Sequence, residues 1–217
     1  MRLRLLLRLL PPFLASLALS GCGESWSWNQ KLTVTVETPQ GEKSASSVTR
    51  QRMIHRDGWY VLPDARGAGV GYSGEAVVLE VMPGRYLFAL LEHKPNPFEI
   101  FYPDQAPVEV AERLETLRAV RIVPPDQYPR LVTFDDIANP MSVRPVDPAN
   151  LAASFGPGVR LKSIQLEITG EPVTEGRIKS VLVWLSQYPE PKLGPATGGT
   201  GNAPFYRFIS HGDFLQR

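Results

Sequence analysis

The sequence predicts an α+β fold: mainly antiparallel β over residues 31–92, followed by mixed strands and short amphipathic helices. Three observations carry this expectation. Several segments alternate apolar and polar residues with a period of two, as half-buried strands do. One segment near residue 110 switches to helical spacing. Between the segments stand 21 prolines and 18 glycines in 217 residues. That is more punctuation than a helical bundle tolerates, because proline removes a backbone donor and glycine costs ordering entropy inside an element. With 43% hydrophobic and 21% charged residues, the chain has the balance of a globular protein that buries a core.

The elements follow in order. "KLTVTVET" from Lys31 places Leu32, Val34 and Val36 on one face of a strand and Thr33, Thr35 and Glu37 on the other. "PQGEKSAS" supplies a turn and "SVTRQRMIH" the return strand. "EAVVLEVM" and "RYLFALLE" are apolar on nearly both faces, as central strands are, and Pro83 and Gly84 form the turn between them. The expected result is a four-stranded antiparallel unit over residues 31–92. "KPNPFEIFYPDQAP" reads as an ordered loop with Phe98, Phe101 and Tyr102 to bury.

In "VEVAERLETLRAV", Val110, Leu114 and Leu117 share a helix face, and Glu109 stands four residues before Arg113, an ion-pair spacing. "PRLVTFDD" is a strand running into an acidic turn. In "VDPANLAASFG", Asp147 is placed to cap a short helix that Gly156 ends. The apolar phase of "VRLKSIQLEIT" slips between Leu161 and Ile164, which predicts a bulge near Lys162 and Ser163. "RIKSVLVWLSQYP" fits a helix through Ile178, Val181, Leu182 and Leu185 and a strand through its β-branched content; helix is the preferred assignment. A globular domain is therefore expected over 31–190, divisible into halves 31–92 and 107–190. Residues 191–217 are a Gly/Pro-rich loop and a C-terminal segment able to dock through its aromatics.

The N-terminus has its own logic. "MRLRLLLRLLPPFLASLALSGC" begins with three arginines, passes through an apolar stretch from Leu9 to Leu19, and ends in small residues, the layout of an export signal. The apolar run, broken by Pro11 and Pro12, is well short of the roughly 20 residues that span a bilayer. Leu19, Ser20, Gly21 and Cys22 match a lipobox, so the sequence resembles a bacterial lipoprotein precursor. The resemblance implies a signal peptide over 1–21, cleavage before Cys22, and acylation of Cys22, with residues 22–30 as a lipidated tether. Cys22 is the only cysteine, so no internal disulfide competes for it. Trp26 and Trp28 are expected either in the membrane interface or packed on the domain. Gly23, the second mature residue, favours the outer over the inner membrane by the same resemblance.

Composition narrows the partners. The full chain is +1, and without Arg2, Arg4 and Arg8 it becomes −2. No basic run of the kind that neutralises a phosphate backbone is present in the mature sequence, so nucleic acid is not an expected partner. Membrane lipid through acylated Cys22 is, together with an unidentified envelope protein or ligand.

Candidate chemistry is sparse. "GVGYSG", residues 69–74, matches a dinucleotide-binding glycine pattern, but "EAVVLEVM" follows where a helix is required, so a mobile hairpin loop is expected. Ser73 in "GYSGE" lacks the second glycine of a nucleophile elbow, because Glu75 stands there. Asp135 and Asp136, with His55 and His211, are the candidates for acid/base or cation chemistry. The bland assignment is turn and cap duty for the carboxylates and an exposed His55 beside Asp57. No cofactor or metal site is expected. Residues 131–174 resemble uncharacterised proteobacterial proteins, which implies a Gram-negative source and no chemistry. The function expected from the sequence is that of an envelope lipoprotein on the periplasmic side, with a binding, scaffolding or envelope-maintenance role. The alternative is an envelope hydrolase or metal-dependent enzyme using Asp135, Asp136 and His55.

Overall fold

A computed structural model describes residues 24–57, 64, 66–92, 95–187 and 204–217. The fold is α+β, built on two antiparallel sheets with short helices. Strand β1 (Glu24–Thr38) and β2 (Gly41–Arg56) form a long hairpin closed by a two-residue turn. β3 (Gly67–Glu75) follows, then β4 (Val77–Met82) and β5 (Arg85–Ala89). Helices α1 (Pro97–Phe101) and α2 (Pro107–Thr116) lead to β6 (Ala119–Ile122), β7 (Leu131–Phe134) and β8 (Val143–Pro145). After α3 (Ala152–Phe155) come β9 (Arg160–Thr169), α4 (Arg177–Val181), a 3-10 turn over Val183–Ser186, and β10 (Leu215–Gln216).

One sheet has the order β10-β3-β2-β1-β9-β6 and the other β4-β5-β7-β8. The four-stranded unit expected over 31–92 is therefore split. β1 and β2 stay in the first sheet, while β4 and β5 form part of the second. The switch occurs at Gly74, whose φ of 134° bends β3 before the chain enters β4. "GVGYSG" is not a loop but most of β3, paired with β2 from Arg50↔Ser73 to Arg56↔Gly67. Alternate glycines hide a strand from any pattern that looks for side chains.

The division at 93–107 also gives way. β1 pairs with β9 and β5 with β7, so both sheets take strands from each side of that stretch. Residues 24–30, expected as a tether, are the first half of β1, paired with residues 49–55 of β2. The 204–217 segment belongs to the fold as well, whereas the Gly/Pro-rich loop expected from residue 191 lies, as far as residue 203, outside the described residues.

Three buried clusters hold the layers together. Between the sheets, Val34 and Val36 of β1 and Ile164 and Leu166 of β9 meet Leu79 and Val81 of β4, Leu87 of β5 and Leu131 of β7. On the other face of the smaller sheet, Phe88 and Val132 pack under Ile178, Leu182, Trp184 and Phe214. This double burial is what the two-faced apolar runs of β4 and β5 require. The third cluster sets Val110, Ala111 and Leu114 of α2 against Trp28, Met53 and Ile168. Trp28 is buried and meets Phe98 edge-on at 5.5 Å, so both tryptophans of β1 pack on the domain.

Several local expectations are met. Val36 pairs with Leu161 and Thr35 with Ser163, leaving Lys162 as the bulged residue. Gly84, at φ 71°, occupies the left-handed turn position that a Cβ disfavours. Residues 177–181 are helical. Two are corrected. Arg113 donates to Gln105 Oε1 at 3.1 Å and lies over the Tyr102 ring rather than pairing with Glu109. Asp147 closes its own turn by accepting from Ala149 N at 2.8 Å, and the α3 N-cap is Leu151.

Candidate functional site

The four candidate side chains fall in three separate places. Asp135 and Asp136 follow β7 in the smaller sheet. Asp135 is ion-paired to Arg144 at 2.5 Å. Asp136 Oδ1 accepts from Ala138 N at 3.0 Å, and its backbone is tied to Ser142 on both sides, N to Oγ and O from Oγ. These are turn contacts, as Asp and Asn side chains make before a proline. His55 stands at the end of β2 in the larger sheet, with Nδ1 3.9 Å from Glu24 Oε2. His211 lies in the C-terminal cover, its ring 5.6 Å from that of Trp184. Among the described residues, no group of three His, Cys, Asp or Glu side chains is placed to hold a metal ion. Ser73 sits opposite Arg50 within β3. Cys22 lies outside the described residues, as does His93.

The aromatics divide as well. Phe98, Phe101 and Tyr102 pack with the α2 cluster, and Phe205 and Tyr206 with the C-terminal cover, so they form no shared surface. Phe208 remains 61% exposed.

The most polar interior of the molecule is a seam that the sequence reading missed. Along the inward face of β1 and β2, the apolar alternation is interrupted by Gln30, Ser47, Thr49 and Gln51, all buried. Tyr72 and Glu75 of β3 complete it, around a cavity of about 30 Å³. That is room for one or two waters and for no organic ligand. The seam is internally bonded: Gln51 Nε2 donates to Thr49 Oγ1 at 3.1 Å, Trp28 Nε1 to Gln30 Oε1 at 3.4 Å, and Ser47 Oγ to the Glu75 carbonyl at 2.6 Å. Pairing buried polar groups in this way avoids the cost of leaving them dry and unmatched.

Glu75 is the centre of this region, 3% exposed. Its Oε1 accepts from Gly176 N at 2.5 Å and its Oε2 from Ile178 N at 3.1 Å. Helix α4 begins after Gly176, which has no side chain to cap it, so a carboxylate about a hundred residues earlier takes the orphan donors. Both oxygens are occupied by backbone, which suits anchoring rather than proton transfer. The residue that spoiled a serine-hydrolase motif in the sequence is thus the clamp between two sheets and the helical cover.

Tyr72 donates its hydroxyl to the Leu91 carbonyl at 3.4 Å. Burial, reinforced by the negative charges of Asp213 and Glu92, raises its pKa above the ordinary value of 10.0. The folded state then holds the phenolic proton more tightly than the unfolded chain. Its contribution to stability is complete below pH 10 and is lost as pH rises through the folded value. Alkaline difference spectroscopy is expected to show a tyrosine ionising later than free tyrosine; titration of all seven at the ordinary value would exclude this.

No protein-family model, curated protein or solved structure matches this chain.

Proposed function

We propose that the chain is an exported lipoprotein, held on the periplasmic side of a Gram-negative envelope membrane by acylated Cys22. The observation that carries this reading is the Leu19–Cys22 motif at the end of an arginine-led apolar segment. Among the described residues, no helix is long and apolar enough to cross a membrane. Two or three acyl chains anchor firmly where one binds only reversibly. Gly23 favours the outer membrane.

The domain's role is binding or scaffolding at that surface. In support, Asp135 and Asp136 are held in turn contacts and Glu75 in backbone contacts. Metabolic labelling with a fatty acid tests the anchor. The wild-type chain is expected to take up label; Cys22→Ser is expected to lose it and to accumulate as the uncleaved precursor. An unlabelled wild-type chain would sink the reading.

A further inference from the structure

The outward face of β2 carries Arg50, Arg52, Ile54 and Arg56, all but Ile54 exposed. In an antiparallel pair, opposed residues share a face. The residues of β3 opposite these four are Ser73, Gly71, Gly69 and Gly67. An arginine row therefore borders a strip of nearly bare backbone. Arg66 joins it at the strand entrance, and the two strands line an open trough of about 420 Å³. Asp64 is the carboxylate among the lining residues. Glu24 and His55 point to the opposite face by the same alternation. Arg52 Nε donates to Ser25 Oγ and Arg50 to Ser27 Oγ, each at 3.3 Å. Those partners are neutral hydroxyls, and among the described residues Arg50, Arg52 and Arg56 form no ion pair with a carboxylate.

The glycines explain little within the chain itself. Gly67, at φ 115°, needs to be glycine, but Gly69 and Gly71 have ordinary backbone angles, and a Cβ on either would meet nothing within 4 Å. Glycine inside a strand marks a place where something approaches the backbone closely. The arginines decide the charge of that visitor.

Position decides its source. Arg56 and Gly67 lie at the same end of the sheet as Glu24, the start of β1. With strands about 4.8 Å apart, β3 runs roughly 10 Å from β1. One residue, Gly23, separates Glu24 from Cys22, a reach of about 7 Å over two peptide steps. We propose that the Arg50–Arg52–Arg56 face of β2, with the glycine strip of β3, is a second membrane contact that takes the phosphates of anionic phospholipid headgroups. The proposal rests on the lipoprotein reading for its placement. Guanidinium groups suit phosphate because their donors form a planar fork matching two oxygens. Each arginine near an anionic surface strengthens binding about fivefold.

The test uses the mature-length chain from residue 22 with Cys22→Ser, which retains every described element and carries no acyl chain. It is expected to co-sediment with vesicles of phosphatidylglycerol and phosphatidylcholine in equal parts and not with phosphatidylcholine alone. Arg50→Gln/Arg52→Gln/Arg56→Gln is expected to weaken that binding about 100-fold. Gly69→Glu/Gly71→Glu, which places carboxylates in open space, is expected to weaken it as well. Arg160→Gln, at the far end of β9 where Glu37 pairs with Arg160, is the control and is expected to bind as the parent does. No binding to anionic vesicles, equal binding to neutral ones, or the same loss from Arg160→Gln as from the triple variant would each overturn the proposal. Fatty-acid labelling of the full chain is read separately. Label present with vesicle binding absent removes this contact and leaves the anchor; label absent with charge-dependent binding intact does the reverse.

Discussion

Phe214→Ala is expected to cost about 3–5 kcal/mol, the usual range for emptying a buried aromatic site. Phe214 is fully buried although only Leu215, Gln216 and Arg217 follow it in the sequence. Its ring stands 6.0 Å from Phe88, 5.8 Å from Phe134 and 5.9 Å from Trp184, two of the three edge-on. These rings come from β5, from β7 and from the 3-10 turn after α4. Their meeting point is what covers the outer face of the smaller sheet. The Phe214 carbonyl also accepts from Ala76 N at 2.9 Å, and the Asp213 carbonyl from Leu91 N at 2.7 Å. Losing the ring therefore loosens a backbone attachment that occupies two otherwise orphaned donors. A domain of this size is stable by only about 5–15 kcal/mol, so the loss is a large fraction of the whole. Urea denaturation should show a lower midpoint, and limited proteolysis should clip the C-terminal segment faster. Phe208→Ala, at an exposed position in the same segment, is expected to stay within about 0.5 kcal/mol. Equal midpoints for the two variants would show that the segment is not docked.

Glu75→Leu is expected to cost about 3–5 kcal/mol, as when one partner of a buried charged contact is removed. The carboxylate is buried, and both oxygens accept hydrogen bonds from backbone N–H groups at the start of α4. Leucine fills the space but leaves the Gly176 and Ile178 N–H groups without acceptors. Glu75→Gln separates shape from chemistry. It preserves the volume and keeps one acceptor oxygen, but turns an amide donor toward a backbone donor, for an expected loss of about 1–3 kcal/mol. The order Glu, Gln, Leu in denaturation midpoint is the signature of a clamp. A Leu variant as stable as the wild type would mean that packing alone holds α4.

These two residues show where the sequence could and could not be read. Leu32, Val34 and Val36 announced β1 because alternation is local and one face is buried. The phase slip before Ile164 announced the Lys162 bulge for the same reason: an extra residue must appear wherever alternation breaks and burial continues. Val110 and Leu114 announced α2 by their spacing. β3 escaped because three of its outward positions, Gly67, Gly69 and Gly71, are glycines, which carry no polarity to alternate. The polar seam escaped because Gln30, Ser47, Thr49 and Gln51 look like solvent-facing residues until the second sheet closes over them. Glu75 was visible only as a defect in a motif, since its partners lie about a hundred residues away.

Local periodicity alone decided β1, β2, β4, β5, β7, β9 and the main helix, because those features depend on neighbours a few residues apart. The four-residue Leu19–Cys22 motif, with its flanks, also carries the proposed membrane address without any help from the fold. Tertiary structure decided how the strands divide between two sheets, because Gly74 bends the chain and long-range pairing then joins β1 to β9 and β5 to β7. It set Asp135 and Asp136 in one layer and His55 in another, and it gathered Arg50, Arg52 and Arg56 beside bare glycine backbone. Residue types recur along any sequence, but a site exists only where pairing and packing bring them onto one face.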